Sequence, residues 1–277
     1  MAEKAVALVD LPPFPAIAIK ALQLVSNSDA RLRELHYLIS ADPALSAGIL
    51  RMANSPLYAI RSEIQSTLQA TILMGFERVR ALVLTIAMKS YVGGSLVIPG
   101  LQACWRHSLA CAMIAEDLAS AIFIDKDVAY TAGLMHDVGR LALVVLRPQM
   151  YAELLKSVAE NGGDLLLLER QTFGFDHCQA GRALIAAWNL PQHFAVVAGD
   201  HHDLKKRNSA PLGVLQVVSL SCAIADTIGF EVARPLQAEP YDGLMKHLPV
   251  DCLSRFPADA ADLAKRISDK INLLELP

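Results

Sequence analysis

The chain has 277 residues, 53% hydrophobic and 19% charged, with a formal net charge of −3. It is long enough to bury a sizeable core as one large domain or two small ones, and too apolar to be disordered. It is also too near neutrality to offer nucleic acid an electrostatic footprint. Apolar runs such as ALVLTIAM (81–88) and LALVVL (141–146) fall short of the roughly 18 residues that span a bilayer, so no membrane partner is expected. The opening MAEKAVALVDLPPFP has no basic stretch leading into an apolar one, so no secretory signal is read there. Five scattered cysteines (Cys104, Cys111, Cys178, Cys222, Cys252), with no CxxC pair, read as reduced core thiols of a cytoplasmic protein.

In chain order, the dominant period is helical. PAIAIKALQLV (15–25), RLRELHYLI (31–39), PALSAGILRMA (43–53) and VRALVLTIAMKSYV (79–92) repeat apolar residues at three- and four-residue spacing. Pro15 and Pro43 suit first-turn positions, and Ser66 suits an N-cap for TLQATILM. TLQATILMGFERVRALVLTIAM also has the outline of a helix-turn-helix, but its second helix is too apolar to read a major groove. GGSLVIPG (93–100) breaks the pattern and sets a subdomain boundary, giving 1–98 and 99–277. Helices are then expected over 101–122, 127–146, 148–161, 165–173, 177–188, 191–202 and 211–229, with a last one within 257–276. Strand-like alternation is nearly absent, so the fold class is all-α.

The chemistry sits in the second half. Adjacent histidine and aspartate, His136-Asp137, interrupt an apolar run, and both are costly to bury unless something holds them. His107, His177, His201, His202 and Asp226 come from separate helices, as expected for a metal site inside a bundle. Imidazole and carboxylate without thiolate suit a divalent transition metal such as iron, manganese, nickel or zinc in a working rather than a purely structural site. Two ions sharing a bridging carboxylate would be natural with seven donors, a standard device for phosphoester hydrolysis.

These residues resemble a known family. The H…HD…D order of His107, His136-Asp137 and Asp226 is similar to the HD-domain metal-dependent phosphohydrolases. LPPFPAIAIKALQLV, ISADPALSAGILRMANSPLY and IQSTLQATILMGFERVRALVL resemble the HDOD (HD-related output domain) family, over about residues 10 to 230. The resemblance implies an HD-type helical bundle with an N-terminal helical subdomain, and a role in bacterial signal transduction. It implies a first metal held by His107, His136, Asp137 and Asp226. By similarity to the related HD-GYP phosphodiesterases, His177, His201 and His202 would complete a second site bridged by Asp137. Two features depart from HD-GYP: Arg140 stands where those enzymes have lysine, and HHDLKKRNSAP replaces their glycine-rich stretch after the histidine doublet.

Each residue has a plainer reading. Arg140 could hold a phosphate through its forked donors or be a helix-surface charge. His201 and His202 could cap a helix C-terminus, and Asp176-His177 could be a helix N-terminal pair. Lys205, Lys206 and Arg207 read as a solvated loop, ANSPLY (53–58) as a capping turn, and His36, His193 and His247 as structural or surface residues. The residues are compatible with two functions. One is a regulatory output protein whose metal site is structural or ligand-sensing, partnered by a signalling protein or a small phosphorylated or nucleotide ligand, with room for a homodimer. The other is a metal-dependent phosphohydrolase with Asp137 and Arg140 as its catalytic candidates.

Overall fold

The computed structural model describes residues 11, 13–24, 29–58, 60, 63–208, 211–234 and 239–275. Val25, Leu276 and the opening ten residues, on which some of the sequence expectations fall, lie outside them. Among the described residues the secondary structure is helical with no strand, the all-α class expected. The chain divides into two compact units, Phe14–Tyr91 with Asp269–Pro277, and Met1–Pro13 with Val92–Ser268.

The smaller unit is built from α1 (Ala16–Gln23), α2 (Asp29–Ser40), α3 (Pro43–Ala53), α4 (Thr67–Met74) and most of α5 (Phe76–Gly93). Local chemistry fixes these ends. Asp42 accepts hydrogen bonds from the Ala44 and Leu45 amides at 2.9 and 3.0 Å, with Pro43 in the first turn behind it. In the ANSPLY turn, the Asn54 amide donates to the Ile64 carbonyl at 2.8 Å, and its oxygen accepts from the Ile64 amide at 2.7 Å. That one side chain ties the turn to the segment leading into α4, where Ser66 caps the helix through the Gln69 amide. Gly75, at φ +87°, makes the corner between α4 and α5. Val79, Leu82, Val83 and Leu84 of α5 are buried, so this corner presents no recognition helix. His36 bonds Thr67 Oγ1 at 2.9 Å, a structural role.

The larger unit begins with the turn made by GGSLVIPG and continues into α6 (Gln102–Ala121), buried along most of its length. Then come α7 (Lys126–Met135), α8 (Val138–Leu146), α9 (Pro148–Asn161), α10 (Leu165–Phe173), α11 (His177–Ala187), α12 (Gln192–Asp200) and α13 (Leu204–Arg207). The unit is completed by α14 (Val214–Ala225), a π turn over Asp226–Phe230, α15 (Tyr241–Met245), α16 (Val250–Leu253) and the first part of α17 (Ala260–Glu275). α6 packs along α7 and α14, α11 packs against α8 and α12, and α12 reaches α7 and α14 to close the group.

Glycine sets the crossing of α8 and α11. A Cβ on Gly139 of α8 would overlap the carbonyl oxygen of His177 and the Gly181 amide on α11. Only a residue without a side chain lets these two helices approach so closely.

Two expectations need correction. The helix expected over 127–146 is broken at His136-Asp137. There the imidazole Nδ1 of His136 lies 2.6 Å from the Gly133 carbonyl, the acceptor that the Asp137 amide would use if the helix continued. Asp137 takes φ −99°, ψ 19°, and its own carbonyl starts α8 by accepting from the Leu141 amide. The helix expected over 211–229 starts at Val214 and loosens into the π turn, where Gly229 sits at φ +96°.

Candidate metal centre

The larger unit gathers the predicted donors at one point, most of them at helix ends. His136 and Asp137 form the α7–α8 junction, His177 opens α11, His201 and His202 close α12, and Asp226 follows α14. His107 projects from within α6. His136, Asp137 and His177 have no solvent exposure, and His107 and His201 are nearly as buried.

Asp137 lies at the middle. Its Oδ1 stands 3.3 Å from His177 Nε2 and 3.4 Å from His201 Nε2. Its Oδ2 stands 3.7 Å from His136 Nε2 and 4.0 Å from His107 Nε2, and these two nitrogens are 3.3 Å apart. His202 Nε2 is 3.2 Å from His177 Nε2. Donors on a four-coordinate ion with bonds of about 2.1 Å stand roughly 3.4 Å from one another, which is the spacing seen.

The protonation states suit ligation. Burial, helped by the neighbouring His201 and His107, holds His136 well below the usual imidazole range, so its lone pair is free. Burial opposes the charge of Asp137, but Arg140, His136 and His177 keep its carboxyl well below the usual carboxylate range. Two buried atoms, Asp137 Oδ1 and His201 Nε2, have no hydrogen-bond partner among the described residues. They face each other at 3.4 Å, as two donors to a common cation would.

Backbone and side-chain partners orient the rings from behind. Nδ1 of His136 faces the Gly133 carbonyl, Nδ1 of His201 the Ala198 carbonyl at 3.1 Å, and Nδ1 of His107 the Phe230 carbonyl at 2.9 Å. Glu169 of α10 takes the His177 Nδ1–H at 2.7 Å and the His177 amide at 2.8 Å. The Tyr151 hydroxyl of α9 donates to Glu169 at 2.5 Å. Each arrangement turns the opposite ring nitrogen toward Asp137. Asp176 caps α11 in a capping box with Gln179, so Asp176-His177 is a helix N-terminal pair and part of the centre at once.

Three placements differ from the sequence reading. Arg140 is no surface charge. It is buried, with Nε 2.6 Å from Asp137 Oδ2, and its other two nitrogens reach Tyr151 Oη at 3.2 Å and His177 Nε2 at 3.1 Å. Asp226 lies beside His107, but at 3.5 Å from Nδ1, the edge of the ring turned away from His136. Next to Nε2 stands Cys222 Sγ, at 3.5 Å. Cys222 precedes Asp226 by four residues, so the two share a helix face, a spacing that was readable beforehand. Glu169 and Tyr151 were missed, because nothing near them in the sequence marks a partner. His247 pairs with Glu239 and His193 packs on Phe194. The cations expected in a solvated loop lie instead on α13, capped by Asp203, where Lys206 pairs with Asp200 and Arg207 with Glu239.

A cleft of about 360 Å³ opens onto this centre, with His107, Arg140, His177, His202, Cys222 and Asp226 on its floor. Leucines 165, 166 and 204 give it apolar walls, and Arg234 adds a cation. That volume takes a small ligand with a polar end and an apolar body.

The HDOD domain family matches residues 11–204. A protein of Treponema pallidum without an assigned function is 24% identical over 201 residues, covering 70% of this chain; the chain spans only 38% of that relative's length. Among solved structures, an HDOD domain protein of unknown function from Geobacter sulfurreducens superposes with TM-score 0.74 at 23% identity, over 95% of this chain and 91% of its own. A Shewanella amazonensis protein whose name carries a provisional phosphohydrolase assignment gives TM-score 0.66 at 23% identity, over 96% and 93%. A Marinobacter aquaeolei protein provisionally named for signal transduction gives 0.71 at 20%, over 97% of this chain and 60% of its own. At these identities the structures establish a shared fold, and the family match covers most of the chain. The chain belongs to the HDOD domain family.

Proposed function

We propose that this protein is a regulatory signalling protein whose His/Asp centre holds a divalent transition metal, iron, manganese, nickel or zinc, and whose cleft receives a small phosphorylated or nucleotide ligand. Its family and the signalling name of one fold neighbour support the first part. The second part is carried by Asp137 Oδ1 and His201 Nε2, buried and unpartnered within 3.4 Å of each other. An interior that leaves a carboxylate oxygen and an imidazole nitrogen unsatisfied is costly unless a cation joins them. When bound, the ion supplies Lewis-acid charge on the cleft floor. The chain's own residues would orient the ligand: Arg234 offers its phosphate a cation, and Leu165, Leu166 and Leu204 exclude water around its apolar part.

A hydrolase reading has one specific support. The cleft reaches His177, His202 and Arg140, so a phosphoester could lie against the donors themselves. Elemental analysis of the purified protein beside His136→Ala tests the metal: stoichiometric metal, lost in the variant, is expected, and a protein that stays empty when metal is supplied would refute it. Phosphomonoester and phosphodiester turnover separates the two functions. Metal-dependent hydrolysis abolished by Asp137→Ala would make the protein an enzyme; a loaded centre without turnover is the expected result.

A further inference from the structure

We infer that Arg140 is a resident cation that takes the place of a second metal, so that the centre is mononuclear, with one ion held by His136, Asp137 and His201, which lie together as one group of donors. The inference rests on the metal-binding proposal and concerns what this chain does with that site.

The donors themselves are the first support. A carboxylate bridging two ions must give one oxygen to each. Asp137 Oδ2 already accepts from Arg140 Nε at 2.6 Å, a charge-assisted bond in a dry interior. Arginine has donors only, so its contact with His177 Nε2 at 3.1 Å makes that nitrogen the acceptor. Nδ1 of the same ring then carries the proton and gives it to Glu169 at 2.7 Å. Arg140 thereby consumes both an oxygen and a nitrogen that a second ion would need. His202, whose Nε2 faces His177 at 3.2 Å, belongs to a second donor group with His177, Cys178 and His201, in which Arg140 already occupies His177 Nε2. The atoms that remain unpartnered, Asp137 Oδ1 and His201 Nε2, lie with His136 in the other group.

The guanidinium is also held where it is. Tyr151 Oη lies 3.2 Å from Nη1, and Glu169 Oε1 lies 3.8 Å from the same nitrogen. Moving Arg140 aside to admit an ion would cost Asp137 Oδ2 its 2.6 Å bond and Tyr151 Oη its donor.

The test is manganese stoichiometry on full-length protein stripped of metal and reloaded, with paramagnetic resonance of the loaded forms. Wild type is expected to take one equivalent and show an isolated-ion spectrum. Arg140→Met, which keeps bulk and removes charge and donors, is expected to take two and show exchange coupling. Should that variant not fold, as judged by circular dichroism, Arg140→Gln carries the same expectation. Arg140→Lys keeps the charge and is expected to stay at one. Two equivalents in wild type or in Arg140→Lys would overturn the inference while leaving the metal-binding proposal intact. One equivalent in a folded Arg140→Met or Arg140→Gln would do the same. No manganese, nor iron, nickel or zinc, in any form would overturn both.

Discussion

Asp137 does two things at once: it offers one oxygen to the donor cluster and neutralises a buried arginine with the other. Removing it therefore damages the fold as well as the site. Asp137→Ala should destabilise the metal-free protein by about 3–5 kcal/mol in denaturant unfolding, because Arg140 is left buried without its nearest counter-charge. The double variant Asp137→Ala/Arg140→Met should lose less than the two single losses combined. Additive losses would show that the pair does not interact as the geometry requires. Glu169 offers a pH-dependent test. Burial works against its charge, but His177, Arg140 and the Tyr151 hydroxyl pull its pKa from 4.5 down to about 2. A carboxylate with a depressed folded pKa stabilises the protein above its unfolded value, and that contribution fades as pH falls from about 4.5 toward about 2. The stability gap between wild type and Glu169→Gln should thus be widest at neutral pH and shrink across that window. A gap that stays constant would mean the Glu169 charge contributes nothing to stability.

At the scale of elements, helix ends decide where the donors meet. Gly139→Ala tests this directly. The added methyl has no room against the His177 carbonyl, so α8 and α11 must separate at a cost of about 1–3 kcal/mol or more. Metal affinity should fall with stability, since Asp137 opens α8 and His177, which opens α11, lies 3.3 Å from its Oδ1. Unchanged affinity in a destabilised variant would show that the crossing does not position the donors. The sequence made some ends legible, because their signals are local: Pro43 opens the first turn of α3, and Ser66 binds the Gln69 amide three residues on. The break at His136-Asp137 was not legible. Apolar periodicity runs through it on both sides, and the cause is one imidazole competing for the Gly133 carbonyl, which no periodicity records. Arg140 is the instructive case. Its place after the HD pair was visible and its type was noted, but whether it faced solvent or Asp137 depended on Tyr151 and Glu169, 11 and 29 positions further on.

At the scale of the whole molecule, the all-α class was plain from helical periods and the near absence of alternation. The gathering of the seven candidate donors in one unit was expected from the family pattern, whereas Cys222, Tyr151 and Glu169 join them through tertiary packing alone. No described helix is long and apolar enough to cross a membrane. Metal binding should propagate as stability. An ion at a hundred times its dissociation constant adds about 2.7 kcal/mol, so a chelator should lower the melting temperature and excess metal restore it. Amide exchange should slow on loading in α7, α8 and α12, whose ends carry His136, Asp137 and His201, and little in α1 to α4. Uniform slowing, or none, would count against a centre confined to the larger unit.

The helix junctions that carry most of the donors have one further consequence. A residue at a helix end is under weak demand from helix propensity, so His202 and Asp226, which line the cleft, can be exchanged singly without disturbing the turns that precede them. His107, fixed within α6, and Asp137, bound to Arg140, do not have that freedom. Loss of chemistry in this architecture would then run from the rim inward. A descendant could shed its outer histidines, keep its helices and its Asp–Arg pair, and remain a folded surface on which other proteins read a shape instead of an ion.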